Sequence, residues 1–243
     1  KSCELTRSAS QGIKELAPGN KFYTQKYKLN ISGLNTFDWK DSLTEMKFCS
    51  KCDCIVLKGE SDFEISGCPK CNDPSWGVNR HQTLKFTGAR TVMHSNDAAL
   101  DDSSEDRDNE NYIIKRHYMF RHTGATTSYA IRGVGFGIEF CNNMELYEVN
   151  YGMQMQSGNK VEVDNDSTVS QNGFVTCRYC GKSIPIMSGI KSEEQHYRFC
   201  THKHVVFGDE NDRNDKVFET LYLYRHIQTE AIKILLPIQI MDA

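Results

Sequence analysis

Apolar and polar positions alternate in short bursts along most of this chain, and few windows show the three-to-four-residue spacing of an amphipathic helix. Beyond residue 111 the runs 113–122 (IIKRHYMFRH), 128–142 (SYAIRGVGFGIEFCN), 144–152 (MELYEVNYG) and 160–164 (KVEVD) are rich in Tyr, Phe, Ile and Val and are separated by Gly and Asn. That texture predicts the short strands of a meander. Phe22–Ile31 alternates in the same way and predicts one strand, within a first 45 residues that otherwise lack a clear period. Thr220–Tyr224 also reads as strand, and the stretch 229–236, which fits both periods, is assigned to strand. One helix is expected over 191–200, with Ser192 at its start and Glu193 and Glu194 in its first turn.

The 243 residues suffice for one large domain or two ordinary ones. No apolar run approaches twenty residues, and the longest, Ile232–Ile240, is broken by Lys233, Pro237 and Gln239. No helical membrane span is therefore expected. The chain opens Lys-Ser-Cys-Glu, with neither Met nor an apolar leader, and is expected to be a portion of a longer product. Its net charge of −3 argues against recognition of nucleic acid by bulk electrostatics. The charge is unevenly spread, because 95–111 (SNDAALDDSSEDRDNEN) holds seven acids against Arg107. That stretch carries −6, so the rest of the chain sums to +3. It reads as a solvated loop or linker, with an acidic DNA mimic as the alternative. The remainder has room for local basic patches such as Lys115, Arg116, His117, Arg121 and His122.

The cysteines change the picture most. Ten of them would make five disulfides in a secreted scaffold, but six sit in Cys-x-x-Cys pairs, the spacing of metal knuckles. Cys49, Cys52, Cys68 and Cys71 form two such arms fifteen residues apart, the pattern of a zinc ribbon with a closed four-sulfur shell. Cys54 is a spare thiol beside it or a substitute ligand. Cys177 and Cys180 form a third arm, and Gly181 after it permits the positive φ that the turn requires. Cys200 and one histidine complete the second site. His196 is favoured because i, i+4 spacing puts it on one helix face with Cys200, while His202 and His204 remain alternatives. Cys3 and Cys141 read as small buried hydrophobes. Two structural Zn²⁺ ions are expected, in a reducing, cytoplasmic compartment.

These readings give an α+β, β-dominated fold: a zinc ribbon plus a mixed sheet domain with a zinc-knuckle/helix insertion. The expected divisions are a connecting segment (1–45), the ribbon (46–94), the acidic linker (95–111) and a second zinc-binding domain (112–243). No GxxxxGK[ST], HExxH or GxSxG motif occurs, which excludes the corresponding NTPase, zincin and hydrolase sites. The glycines of 132–137 (RGVGFG) lie within a strand-like run, so they read as a kinked strand and not as a dinucleotide fingerprint. No self-sufficient active site is expected.

The order of features resembles a family. A CxxC…CPxC ribbon precedes an acidic linker and a Tyr-rich β region with Glu148-Val-Asn-Tyr-Gly152. CxxCG with a downstream His-x3-Cys follows, and the segment 223–237 (LYRHIQTEAIKILLP) comes last. Over roughly residues 46–240 this is similar to the C-terminal region of large superfamily 2 DNA helicases that carry an MrfA-like zinc-binding (MZB) domain. Several of these, the Druantia type among them, serve bacterial phage defence. The resemblance supports Cys177, Cys180 and Cys200 as zinc ligands and puts Glu230 inside the family's signature. It implies an accessory role beside the motor domains of the same parent protein, helping to hold or separate DNA strands.

On that reading Lys115, Arg116, Arg121, Arg132, Arg178 and Lys182 would contact phosphates, and Tyr118 or Phe120 would stack on bases. The competing reading is a zinc-braced protein–protein interaction module without DNA contact. A zinc hydrolase is the third, and closed four-ligand shells would exclude it.

Overall fold

The structure, a computed structural model, describes residues 4, 6–24, 27–36, 39–77, 80–92, 112–120, 127–156, 158–164, 166–184 and 194–236. The acidic stretch 95–111, Cys3, Arg121, His122 and Pro237 lie outside these residues.

The N-terminal segment is a short helix, α1 (Ala9–Glu15), then a hairpin of β1 (Lys21–Tyr23) and β2 (Lys28–Asn30). The alternation of Phe22–Ile31 thus belongs to two strands and not one. Across the reversal the Tyr27 amide donates to the Thr24 hydroxyl at 2.9 Å, and the Thr24 amide donates to the Tyr27 carbonyl at 2.8 Å. Then come β3 (Gly33–Leu34), the single turn α2 (Trp39–Ser42), and the ribbon strands β4 (Leu43–Phe48), β5 (Ile55–Leu57) and β6 (Arg80–Lys85). After β7 (Ala89–Arg90) the β-rich region supplies β8 (Tyr112–Phe120), β9 (Thr127–Ala130), the seventeen-residue β10 (Gly137–Met153), β11 (Lys160–Glu162), β12 (Thr168–Ser170), β13 (Phe174–Cys177) and β14 (Ser183–Ile184). A helix, α3 (Glu210–Asp215), precedes the eighteen-residue β15 (Phe218–Leu235). Asp209 caps α3 by accepting from the Asp212 amide.

Nine strands form one sheet, in the order β14-β13-β15-β6-β4-β5, with β10 joining β15 to β8 and β9. The β15–β6 pairing is parallel and the others are antiparallel, so the sheet is mixed. It curls on itself. Cys54, just before β5, bridges Tyr118 of β8, and the Tyr118 amide reaches the Asp53 carbonyl. Inside the curl, Phe48, His81, His117, Tyr151 and Tyr222 pack against one another, Phe48 stacked on His81 and the other pairs tilted or edge-on, with ring centroids 4.9–6.3 Å apart. Alternation on β15 explains both faces: Tyr222 and Tyr224 point into this core, whereas Leu221 and Leu223 pack with Ile13, Leu34, Trp39 and Phe174 on the other side.

The glycine run 132–137 is a hairpin loop, not a kinked strand. Gly133 (φ 83°) and Gly135 (φ 54°) turn the chain between β9 and β10. Beyond Tyr224 the character of β15 changes, and from His226 onward its residues are exposed or half-exposed. There β9, β10 and β15 form a three-stranded arm. Register pairs Ile138 with both Ile234 and Tyr129, and Phe140 with Ile232. Residues directly opposite share a face, so Tyr129, Ile138, Phe140, Ile232 and Ile234 make one apolar surface. Tyr129 (63%), Ile232 (60%) and Ile234 (57%) stay largely open to solvent. The opposite face carries the Glu139–Lys233 ion pair at 3.4 Å.

Candidate metal centres

Three of the four metal arms are the same local structure, written into the sequence at the same offsets. In each, the amide of the first cysteine donates to the carbonyl five residues on: Cys49 to Cys54, Cys68 to Asp73, Cys177 to Lys182. The residue after the second cysteine has positive φ: Asp53 (56°), Asn72 (59°) and Gly181 (78°). Asp and Asn tolerate that region better than other side chains, and Gly adopts it freely. At Gly181 a Cβ would also lie 2.3 Å from the Leu34 carbonyl oxygen, so glycine is required twice over. The turn directs amides at the sulfurs, those of Lys51 and Cys52 at Cys49, and those of Tyr179 and Cys180 at Cys177. Amide donors of this kind favour thiolate over thiol.

The first centre brings together Cys49, Cys52, Cys68 and Cys71, and the second Cys177, Cys180, His196 and Cys200. In each, one donor atom per residue lies within 4.8 Å of all the others. Sγ–Sγ separations are 3.5 Å for Cys49–Cys71, 3.4 Å for Cys52–Cys68 and 3.9 Å for Cys177–Cys200, and Cys180 Sγ is 4.0 Å from His196 Nδ1. A tetrahedron with Zn–S bonds of ~2.3 Å has edges of about 3.8 Å. The donor set fits Zn²⁺, and the nine described cysteines are all free thiols. Burial pushes the Cys49, Cys52 and Cys200 thiols up, while the amides aimed at them pull the other way. Cys180 is held down to about 4, chiefly by its hydrogen bond with Cys177. A dication resolves these opposed pulls by holding every sulfur as thiolate.

His196 is the histidine of the second centre. Its Nε2–H donates to the Val205 carbonyl at 2.9 Å, which fixes the tautomer and leaves Nδ1 facing the sulfurs. His202 instead stacks on Tyr179, centroids 3.6 Å apart, with Nδ1 bonded to the Thr201 hydroxyl. The expected helix is not what presents His196: its start, with Ser192 and Glu193, lies outside the described residues, and 194–200 run through bends and turns with no α-helical residue, the Cys200 amide donating to the Tyr197 carbonyl. Convergence on four donors, with the Gln195 side chain accepting from the Phe207 amide, shapes this backbone in place of an α-helical ladder.

Both shells are closed by four protein donors, so these centres brace structure and hold no open position for substrate. Around the first pack Val56, Phe63 and Trp76; around the second, Val175, Tyr197, Val205, Val217 and Phe218. Cys54 stays outside the first shell, its thiol pushed up to about 12 by burial. Cys141 is buried in β10.

The cations expected at phosphates are not gathered on one surface. Lys115 pairs with Asp53 (3.2 Å) and Asp164 (3.5 Å) and donates to the Val163 carbonyl. Arg116 and Arg225 both reach Glu148, at 3.4 and 2.6 Å. Glu148 is almost fully buried; burial alone would push its carboxyl up, but Arg225, Lys14 and Arg116 together hold it below the usual range. Arg178 pairs with Glu219 at 3.5 Å. Lys182 sits over the Tyr197 ring, at a cleft of about 360 Å³ that Pro18, Tyr112 and Phe174 also line. Arg132 is exposed on the β9–β10 loop. Tyr118 contacts Lys70 and packs edge-on to Phe120.

Two segments of the resemblance turn out to be neighbouring strands, since Glu148 of β10 lies opposite Arg225 of β15. Among the described residues no helix is long and apolar enough to cross a membrane. Compared with protein-family models, curated proteins and solved structures, the chain matches none of them.

Proposed function

We propose that this chain is a non-catalytic, zinc-braced accessory module of an ATP-dependent DNA helicase or translocase, cytoplasmic and serving bacterial phage defence. The partner is the motor of the same parent protein. The observation that carries the docking role is the arm of β9, β10 and β15, which exposes a continuous face of Tyr, Phe and Ile across three paired strands. A contiguous exposed apolar patch rimmed by polar residues is a common mark of a protein–protein contact. The resemblance supplies the motor's identity, and the closed zinc shells support a role without chemistry of its own.

The gene's complete reading frame tests the parentage: a Walker A motor in the same frame supports it, and a frame without one overturns it. In that full product, Ile232→Lys together with Ile234→Lys is expected to cut DNA-stimulated ATP hydrolysis several-fold while zinc stays at two per chain. Unchanged hydrolysis would remove the arm from the interface.

The second reading, an interaction module that never touches DNA, is favoured by one observation. Lys115 and Arg178 are already paired with carboxylates, and Arg116 shares Glu148 with Arg225 and Lys14. Absence of any binding to single-stranded DNA at low salt would select it.

A further inference from the structure

The second zinc centre carries more than structure on its outer surface. Tyr179 lies between Cys177 and Cys180, Phe199 directly precedes Cys200, and His202 follows it by two. Tyr179 is 52% and Phe199 60% exposed, although each lies next to a buried ligand, Cys180 and Cys200. They are not loose. Tyr179, His202 and His204 form a near-parallel series, with interplanar angles of 16° and 22°, and Phe199 stacks on Tyr197 at 17° with centroids 5.4 Å apart. Tyr197 is itself anchored, its hydroxyl 2.7 Å from that of Ser32.

Cations alternate with these rings. Arg198 and Lys203 are exposed, and among the described residues neither has an ion-pair partner. No acid occurs from Gln195 to Gly208. Of the carboxylates around this run, Glu194 is exposed and acts on Lys182, Glu219 pairs with Arg178, and Asp209 accepts from the amides of Val206 and Asp212. Outward-facing rings beside a buried metal site, interleaved with two cations that make no ion pair among the described residues, match the two needs of a single-stranded polynucleotide. Bases need flat π-faces, and phosphates need cations. A double helix hides its base faces and would use only the charge.

We infer that the knuckle surface formed by Tyr179, Phe199, His202, Arg198 and Lys203 binds single-stranded nucleic acid, with bases stacked on the rings and phosphates on Arg198 and Lys203. This deepens the accessory-module reading by naming the ligand of one zinc centre. It rests on that reading only for the identity of the parent.

The test is fluorescence anisotropy of a labelled oligothymidylate with the full 243-residue chain loaded with two zincs. Binding should weaken with salt. Phe199→Ala and Tyr179→Ala should each lower affinity about tenfold, and Phe199→Trp should restore it. Arg198→Gln with Lys203→Gln should flatten the plot of log affinity against log salt by about 1.4, or ~0.7 per phosphate contact on a single strand. Zinc analysis of each variant separates lost contacts from a lost fold. Because Arg198 and Lys203 are not ligands, that double variant keeps the test decisive even if an aromatic variant sheds its metal. No binding at low salt, duplex bound as tightly as single strand, or zinc-loaded variants of unchanged affinity would overturn the inference. None of these measurements involves a motor, so failure here leaves the parentage standing, and a frame without a motor leaves this surface standing.

Discussion

At the residue scale the metal arms show how far a short stretch determines its own geometry. Three knuckles share one hydrogen-bond offset and one positive-φ position, filled by Asp53, Asn72 and Gly181. Only at Gly181 does neighbouring backbone close off the space for a Cβ. Gly181→Ala should therefore cost about 2 kcal/mol or more and weaken zinc at the second centre, whereas Asn72→Gly should be tolerated. Denaturant midpoints and zinc competition distinguish the two.

Two histidines give a second prediction. His81 and His117 are buried, and desolvation holds both down to about 4 against an ordinary value of 6.5. In the buried neutral ring of His117, Nδ1–H donates to the Asp53 carbonyl and Nε2 accepts from the Tyr151 hydroxyl at 2.6 Å, which occupies the lone pair a second proton would need. The unfolded chain therefore takes up these protons first, and stability falls as pH drops from 6.5 towards 4. Between pH 6.5 and 5 the loss is about 2 kcal/mol per histidine. Zinc-saturated His81→Phe should show a shallower decline in urea midpoint over that range. The ligands were legible in the sequence because their geometry is local. His196 was found through an i, i+4 argument that assumed a helix, yet turns deliver the same atom. The buried histidines were not legible, since their burial depends on strands far apart in the chain.

At the level of elements, β10 and β15 dominate, and their register puts Glu148 against Arg225. Removing one partner of a buried ion pair strands the other, so Glu148→Ala should cost about 3 kcal/mol. Arg225→Met in the same background should recover part of that loss, and a double-mutant cycle in urea measures it. Alternating runs identified most of these strands. Two of the misjudged elements share a cause, which is that a tight turn can hide inside an alternating pattern. Thr24–Tyr27 and the loop at Gly133 and Gly135 both reverse the chain without a break in polarity.

For the whole molecule, the curl of the sheet and the union of the ribbon with the later strands rest on contacts between distant residues, so spacing alone gave no sign of them. The two zinc centres also differ in depth. Cys71 of the first is exposed, while all four ligands of the second are buried. Chelation should therefore proceed in two phases, the ribbon losing its ion first. Trp76 packs with Cys49 and Cys68, so in a Trp39→Phe background its fluorescence should change with the first phase and not the second. A colorimetric zinc indicator counts the ions released.

β15 leaves the second zinc knuckle, where Phe218 pairs with Cys177, runs beside the ribbon through Tyr222–Tyr224 and β6, and ends in the arm. In mechanical terms it is a tie rod with three attachments. A pull on its C-terminal end runs along the strand, so the rungs to β10 bear it in shear and share the load, where a peeling force would break them singly. A shift of register at the arm would turn Ile232 and Ile234 to the opposite face and slide Phe218 past the knuckle in the same stroke. Whatever grips the arm thereby holds a lever on the metal site at the strand's other end.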